Sequence, residues 1–210
     1  IRKTWTWTSR GQGRIDRLAL WVGQIANTMH NRRFIRIPPN PKESPYELLG
    51  GAKIEPITQA NKLSNTMLKR GEYVSVIDAA LVESGMANDW LKSPEINLTY
   101  HWLIDSGRRP TIYHEKPLEL LAPESQYLVQ CTGRIADVIP HELNLDTVDT
   151  FVDICIKNNL RKVTIRTKLL PELQPMLQGS LDRQLARRGG QKDGFLIRLP
   201  SKPTFLLCVV

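Results

Sequence analysis

The order of periodic segments after Ser125 constrains the fold of this 210-residue sequence more than any other feature. Strand periodicity of two and helical periodicity of about 3.6 alternate there. The predicted segments are a strand near Tyr127–Ile135, a helix near Thr147–Asn158, a strand at Arg161–Lys168, a helix near Pro175–Arg188 and strands at Phe195–Leu199 and Thr204–Val209. This βαβαββ order predicts an α+β fold in which helices cover a small mixed sheet.

The region before Ser125 is less regular, and we expect it to mix helix with extended chain. Trp5 and Trp7 alternate with threonines, which predicts a short strand or arm. Apolar residues then recur at helical spacing from Arg14 to about Arg33, which predicts an amphipathic helix. A second helix is predicted at Ile57–Arg70, with Gly71 just past its end. A strand is predicted at Ile96–Ile104, followed by a turn at Asp105-Ser106-Gly107. Tyr73–Val82 is apolar and could be either a strand or a helix.

Composition and a proline-rich linker divide the chain into three predicted regions. Residues 1–37 form a basic arm and helix, residues 38–124 an acidic middle region, and residues 125–210 the basic βαβαββ lobe. The first boundary falls where prolines at 38, 39, 41 and 45 rule out a continuous helix. A chain of this length can bury a real core in either one or two domains.

Charge is distributed unevenly along the sequence. Residues 1–36 hold eight Lys/Arg against one Asp (+7), residues 37–156 hold ten against seventeen acidic residues (−7), and residues 157–202 hold eleven against three (+8). Basic ends of this kind are typical of proteins that bind a polyanion, because each phosphate contact releases counterions. The alternative is that the acidic middle neutralises the basic ends within the fold or an oligomer.

The remaining composition bears on compartment and cofactors. Three widely spaced cysteines argue against a disulfide framework and favour a reducing, intracellular environment. No apolar run is long enough for a membrane span. The chain begins at Ile1 rather than Met, so we expect that an upstream piece was lost by processing, truncation or disorder, and a removed organellar transit peptide, for example mitochondrial, is one of these possibilities.

Basic side chains in the last fifty residues are the main candidate binding residues. In a strand over Arg161–Lys168, Lys162, Arg166 and Lys168 share one face with Thr164. Successive positions on that face lie about 7 Å apart, close to the spacing of successive phosphates. A solvated outer face explains that pattern equally well. The predicted flexible basic loop after the following helix adds Arg187, Arg188 and Lys192, although helix-end charges and a glycine stop also account for it.

The head of the chain supplies a second candidate site. Trp5 and Trp7 lie between cations and could stack unpaired bases, with Arg10, Arg14 and Arg17 contacting phosphate. The tryptophans could instead anchor the arm against protein.

We predict neither a catalytic set nor a cofactor or metal from this sequence. The four histidines show no metal-ligand spacing, and no glycine-rich loop is followed by Lys-Ser/Thr. Asp146, Asp149 and Asp153 share a helix face, but capping explains the first and the helix dipole the second.

Two local resemblances bear on function. Residues 6–17, TWTSRGQGRIDR, resemble the late TW…RID stretch of endonuclease/exonuclease/phosphatase-type nucleases. The closing Ser-Asp-His of that family is absent downstream, and the helix predicted from Ile15 conflicts with the strand that the family has there, so we interpret the match as coincidence. The βαβαββ order is similar to that of the C-terminal domain of bacterial translation initiation factor three, which implies ribosomal RNA as a partner.

These observations lead to a non-catalytic RNA-binding protein as the expected function, in a large ribonucleoprotein such as an organellar ribosome. Nucleic acid, with RNA favoured, would contact the basic ends, and protein partners would contact the acidic middle region. The alternatives are a self-assembling structural or viral protein and an enzyme acting on nucleic acid.

Overall fold

The computed structural model describes residues 3–7, 17–21, 32–36, 42, 44, 46–50, 68–94, 96–118, 126, 128–200 and 203–210. Strands and helices follow one another in these residues as β1 (Lys3–Trp7), β2 (Arg17–Trp21), β3 (Arg32–Arg36), β4 (Tyr46–Gly50), β5 (Tyr73–Ile77), α1 (Ala79–Glu83), α2 (Ala87–Leu91), β6 (Tyr100–Ile104), β7 (Thr111–His114), β8 (Val129–Ile139), α3 (Val148–Lys157), β9 (Leu160–Ile165), α4 (Leu173–Arg188), β10 (Lys192–Arg198) and β11 (Phe205–Val209). Helices and a mixed sheet together confirm the predicted α+β class.

The chain divides into two compact units. Unit 1 comprises residues 1–63 and 75–131, and unit 2 comprises residues 64–74 and 132–210. Strands β5 and β8 each carry residues of both units.

Unit 2 contains the predicted βαβαββ order, as β8-α3-β9-α4-β10-β11. Its strands lie in the order β8-β11-β10-β9, with β9 parallel to β10 and the other neighbours antiparallel. Leucines of α4 and the aromatic ring of Phe151 on α3 pack against the sheet, and Phe151 meets Phe205 edge to face at 5.4 Å. The amphipathic periodicity of both helices therefore predicts their buried faces correctly.

Both faces of β10 and β11, the two central strands of unit 2, are buried. Leu196 and Leu207 belong to the core beneath the helices. Their neighbours Phe195, Leu206 and Cys208 point to the opposite face, because strand side chains alternate, and these are 1%, 0% and 0% exposed. The face opposite the helices is thus not an open, cationic platform at these strands.

Strand β9 lies at the edge of the sheet, where its outward backbone groups need partners. The side chain of Gln178 on α4 supplies them. Its Oε1 accepts from the amide of Ile165 at 2.9 Å, and its Nε2 donates to the carbonyl of Val163 at 2.7 Å. One glutamine thereby replaces a neighbouring strand over this part of the edge.

Several boundaries in unit 2 differ from the predicted ones. β9 ends at Ile165, so the predicted strand to Lys168 is wrong beyond that residue. The residue preceding α3 is Thr147 rather than Asp146, because the side chain of Asn144 accepts from both of their amides and shapes the turn. The wrong predictions concern strand ends and caps, where side-chain hydrogen bonds decide.

In unit 1, β1 pairs with β2 in antiparallel register, with Trp7 opposite Arg17. The predicted strand at Trp5 and Trp7 is confirmed, and the helix predicted from Arg14 to Arg33 is wrong at β2. The sequence Arg-Leu-Ala-Leu-Trp fits a strand period as well as a helical one, and pairing with β1 selects the strand. The predicted helix is also wrong at Arg32 and Arg33, which begin β3, the antiparallel partner of β4.

The rest of unit 1 is built around β5, β6 and β7, in the order β6-β7-β5. Tyr73–Val82, for which either state was expected, is strand β5 followed by the short helix α1. The predicted strand at Ile96–Ile104 is confirmed only from Tyr100, and Gly107, with φ +77°, makes the predicted turn. The core includes Trp90 and Trp102. The indole N–H of Trp102 donates to the side-chain oxygen of buried Asn88 at 3.1 Å. Residues 57–67 of the predicted second helix and most of the proline-rich linker lie outside the described residues.

Among the helices of the described residues, none is long and apolar enough to cross a membrane.

Candidate functional site

Three cationic side chains surround one cavity in unit 2, which we call the unit 2 cleft. Arg70, Arg134 and Lys192 line it together with Gly71, Tyr73, Thr132, Gly133, Ile135, Ala136, Asn158, Val209 and Val210. Its volume is about 620 Å³, within the range typical of small-molecule sites. All of these residues belong to unit 2.

Backbone pairing between residues 71–72 and β8 brings two of the cations together. The amide of Gly71 donates to the carbonyl of Ile135 at 2.8 Å, and the amide of Ile135 donates to the carbonyl of Glu72 at 2.7 Å. Arg70 immediately precedes Gly71, and Arg134 immediately precedes Ile135. The two arginines, far apart in sequence, therefore lie on one cleft.

Arg134 is held by the backbone that it lies against. Its Nε donates to the carbonyl of Gly71 at 2.9 Å, and a Cβ at Gly71 would lie 3.2 Å from its Nη2. Gly71 also has φ +94°, a conformation that favours glycine. The guanidinium is thus oriented through Nε, while its two terminal nitrogens make no hydrogen bond within the part of the chain that the structure describes.

Arg70 is held by a carboxylate. Its guanidinium forms an ion pair with Asp137, which is mostly buried, and Asp137 also accepts from the amide of Val138 at 2.8 Å. The side chain of Arg70 remains 66% exposed, so the ion pair fixes one side of the guanidinium and leaves the rest accessible.

Lys192 reaches the cleft because a tight connection joins α4 to β10. The amides of Gln191 and Lys192 both donate to the carbonyl of Asn159 at 3.0 Å. Asn159 has φ +61°, and a Cβ at Gly190 would lie 1.9 Å from its Oδ1, so only glycine fits there. The predicted flexible loop is therefore a hydrogen-bonded turn that places Lys192 at the start of β10.

The rest of the cleft wall is partly aromatic and partly aliphatic, with Tyr73, Ile135 and Val209 among its residues. Hydroxyls of Tyr73 and Thr132 and the amide of Asn158 add polarity. Among the described residues lining the cleft, none is Asp, Glu, His or Cys. The cleft is suited to holding an anionic group against an apolar wall.

Of the candidate residues predicted from sequence, Lys192 lines the cleft. Lys162 is exposed on β9 opposite Asp193, and Arg166 and Lys168 lie beyond the end of β9. Because Lys192 pairs with the start of β9, Arg166 stands roughly 20 Å away along the strand direction. The guanidinium Nε of Arg166 is buried and, among the described residues, has no hydrogen-bond partner.

The other candidate residues are not gathered at the cleft. Arg187 and Arg188 are exposed in the last turn of α4, and Arg188 forms an ion pair with Asp153 at 2.9 Å. Trp5, Trp7 and Arg17 lie in the β1–β2 ladder of unit 1, whereas Arg10 and Arg14 lie outside the described residues. What these residues bind stays a prediction.

Some of the positive charge of unit 2 is already neutralised. Arg161 donates to Asp193 at 2.8 Å, and this hydrogen bond holds the pKa of Asp193 below its usual value. Two members of the acidic helix face, Asp149 and Asp153, are engaged by Gln184 and Arg188 of α4. No group of acidic, histidine or cysteine residues suited to a metal ion occurs among the described residues.

Ser75 and His114 in unit 1 form a second arrangement, of a kind that also occurs in catalytic sites. Nδ1 of His114 donates to the carbonyl of Lys116 at 2.5 Å, which leaves Nε2 to accept the Ser75 hydroxyl at 2.8 Å. A base beside a hydroxyl is the arrangement of an activated nucleophile. Both side chains are nearly fully buried, at 0% and 1% exposure, so a substrate cannot reach them. Their hydrogen bond stabilises the core.

Comparison with known proteins yields one structural neighbour and no relative by sequence. No family model matches the chain, and no curated protein matches it. A solved crystal structure of a "putative methyltransferase" from Porphyromonas gingivalis is similar with a TM-score of 0.47 and 14% identity. The match covers 84% of this chain and 37% of that protein. At this level of similarity, the methyltransferase activity is not transferred to this chain.

The expected non-catalytic RNA-binding function is contradicted. The finding that stands against it is the structural neighbour, which is named as an enzyme. The geometry gives a physical reason for the same correction, because the sheet face next to the predicted row of cations is buried at β10 and β11. The predicted ribonucleoprotein subunit is therefore not retained.

Proposed function

We propose that the chain is an enzyme acting on nucleic acid and that the unit 2 cleft holds a phosphate group of its substrate. The observation that carries the proposal is the convergence of Arg70, Arg134 and Lys192 on one cavity. Guanidinium groups bind phosphate oxygens through paired N–H donors, and an ammonium adds a mobile point charge.

Preorganisation of the two arginines supports this role. Arg134 is fixed through Nε and Arg70 through Asp137, so neither side chain needs to be ordered by the ligand. Immobilising a long side chain on binding costs about 0.5–1.5 kcal/mol. Because the two arginines are already ordered in the free protein, little of the binding free energy is spent on immobilising them when phosphate binds.

The size and wall of the cleft favour a nucleotide unit over a duplex surface. A cavity of about 620 Å³ holds a small ligand, and Tyr73 and Val209, which are both half-buried, offer an apolar surface for a base or sugar. Aromatic side chains commonly stack unpaired bases. We propose a single-stranded or end-exposed substrate on these grounds.

Strand β2 bears on the nuclease resemblance at the head of the chain. Residues 6–17 resemble a nuclease stretch, and one objection was the helix predicted from Ile15. Residues 17–21 instead form a strand, which removes the conflict there, although the absent Ser-Asp-His remains a departure from that family. Because the closing motif is absent, we still interpret the resemblance as coincidence, and it carries no part of the proposal.

Turnover is the test of this proposal. Single-stranded RNA and DNA 20-mers would be incubated with the chain, with Mg²⁺ and with chelator, and their masses followed by denaturing gel and mass spectrometry. We expect more moles of product than of protein, which would show turnover. Arg134→Gln should lower the rate of product formation at least tenfold. Arg183→Gln, which changes an exposed residue of α4 outside the cleft, should retain activity. Tight binding without covalent change in any oligonucleotide would contradict the enzymatic part.

A further inference from the structure

We infer that the unit 2 cleft recognises a terminal phosphate monoester of a nucleic acid rather than an internal phosphodiester. This inference rests on the proposed function and deepens it by naming the substrate class. It follows from the number of cations that line the cleft and from the fixed positions of the two arginines.

The charge of the cleft matches a monoester better than a diester. Arg70, Arg134 and Lys192 bring three positive charges, and the Asp137 carboxylate that is paired with Arg70 offsets one of them, which leaves a net charge of +2. A phosphate monoester carries about −1.5 to −2 charge near pH 7 and has three terminal oxygens. An internal diester carries one charge and two such oxygens, so it would use the three donors incompletely.

The grouping of these cations around a single cavity also favours the end of a chain. An internal phosphodiester continues on both sides, and binding it requires a track of further unpaired cations. On the β9–β10 side of the cleft, Arg161 is already bound to Asp193, whose carbonyl accepts the amide of Val210 in the cleft wall. Arg161 is therefore not available to extend the cationic surface of the cleft along β9.

Asp137 acts as a positioning residue in this account. It is 14% exposed and does not line the cleft, but it orients Arg70 at the cleft edge. Asp137→Asn would keep the shape and weaken the hold on Arg70, so the preference for a terminal phosphate should fall without a loss of folding.

The test compares three oligonucleotides of identical sequence with an internal fluorophore, ending in 5′-phosphate, in 3′-phosphate, or in hydroxyls at both ends. Affinities would be measured by fluorescence anisotropy on the full chain. We expect one phosphorylated end to bind at least tenfold more tightly than the hydroxyl-ended strand, and the better end identifies the source of the monoester. Below about pH 6 the advantage should shrink, because the second proton of a monoester binds there.

Matched variants assign the preference to the cleft. Arg134→Gln should abolish it and Asp137→Asn should reduce it, while the exposed Arg183→Gln should retain it. Lys192→Gln, at an exposed position, is the second cleft variant if Arg134→Gln fails to fold. Equal binding of all three strands, weakened equally by Arg134→Gln, would overturn the inference and leave the proposed function standing. No binding of any strand at low salt would overturn both.

Discussion

The edge of the unit 2 sheet offers the sharpest stability prediction, through Gln178. This side chain makes two hydrogen bonds to β9, to the amide of Ile165 and the carbonyl of Val163. Gln178→Met keeps the length and helix propensity but removes both bonds. At about 0.5–1.5 kcal/mol for each bond, the free energy of unfolding should fall by about 1–3 kcal/mol.

Urea denaturation followed by circular dichroism measures this loss. Gln184→Met on the same helix is the matched control, because Gln184 bonds only the side chains of exposed Asp149 and, at 3.5 Å, half-buried Ser180. This variant should change stability by less than about 0.5 kcal/mol. Gln178→Met should also raise the apparent molecular mass in solution at high protein concentration, because the uncovered edge of β9 can pair with a second copy of the chain. Equal stability of the two variants would refute the argument.

Three further predictions concern buried groups. Gly133→Ala should destabilise unit 2 by about 1–3 kcal/mol in chemical denaturation, because its Cβ would lie 2.7 Å from the ring of Phe195, and an unchanged stability would contradict this packing. Burial lowers the pKa of His114, so the stability that it contributes should be complete above about pH 6.5 and decline as pH falls below that value; His114→Gln should remove this decline in urea titrations from pH 5 to 8. Burial raises the pKa of Cys155 to about 12, so its reaction with a thiol reagent at pH 8 should occur only on unfolding, and rapid native labelling would be inconsistent with it.

Local periodicity was sufficient for unit 2 and insufficient for the head of the chain. The helices α3 and α4 could be predicted because their apolar residues recur within one segment and face one sheet. Residues 17–21 suit helix or strand locally, and pairing with β1 decides the outcome. Such pairing depends on residues distant in sequence, which a periodicity analysis does not include.

The cleft could be predicted only through Lys192. Arg70 and Arg134 were not chosen as candidates, because one was placed at a helix end and the other inside a strand. They meet through the pairing of Gly71 with Ile135, for which the sequence carries no local signal. Charge counting also treated Arg161 as available, whereas the fold pairs it with Asp193.

The salt dependence of binding tests the central claim most directly. For a single-stranded oligonucleotide, the slope of log affinity against log salt is about −0.7 for each phosphate neutralised. Because all three cations are proposed to contact one phosphate, Arg70→Gln, Arg134→Gln and Lys192→Gln should each make the slope shallower by at most about that amount, whereas Arg183→Gln should not change it. A slope unchanged in all three cleft variants, or changed equally by Arg183→Gln, would contradict phosphate binding at the cleft.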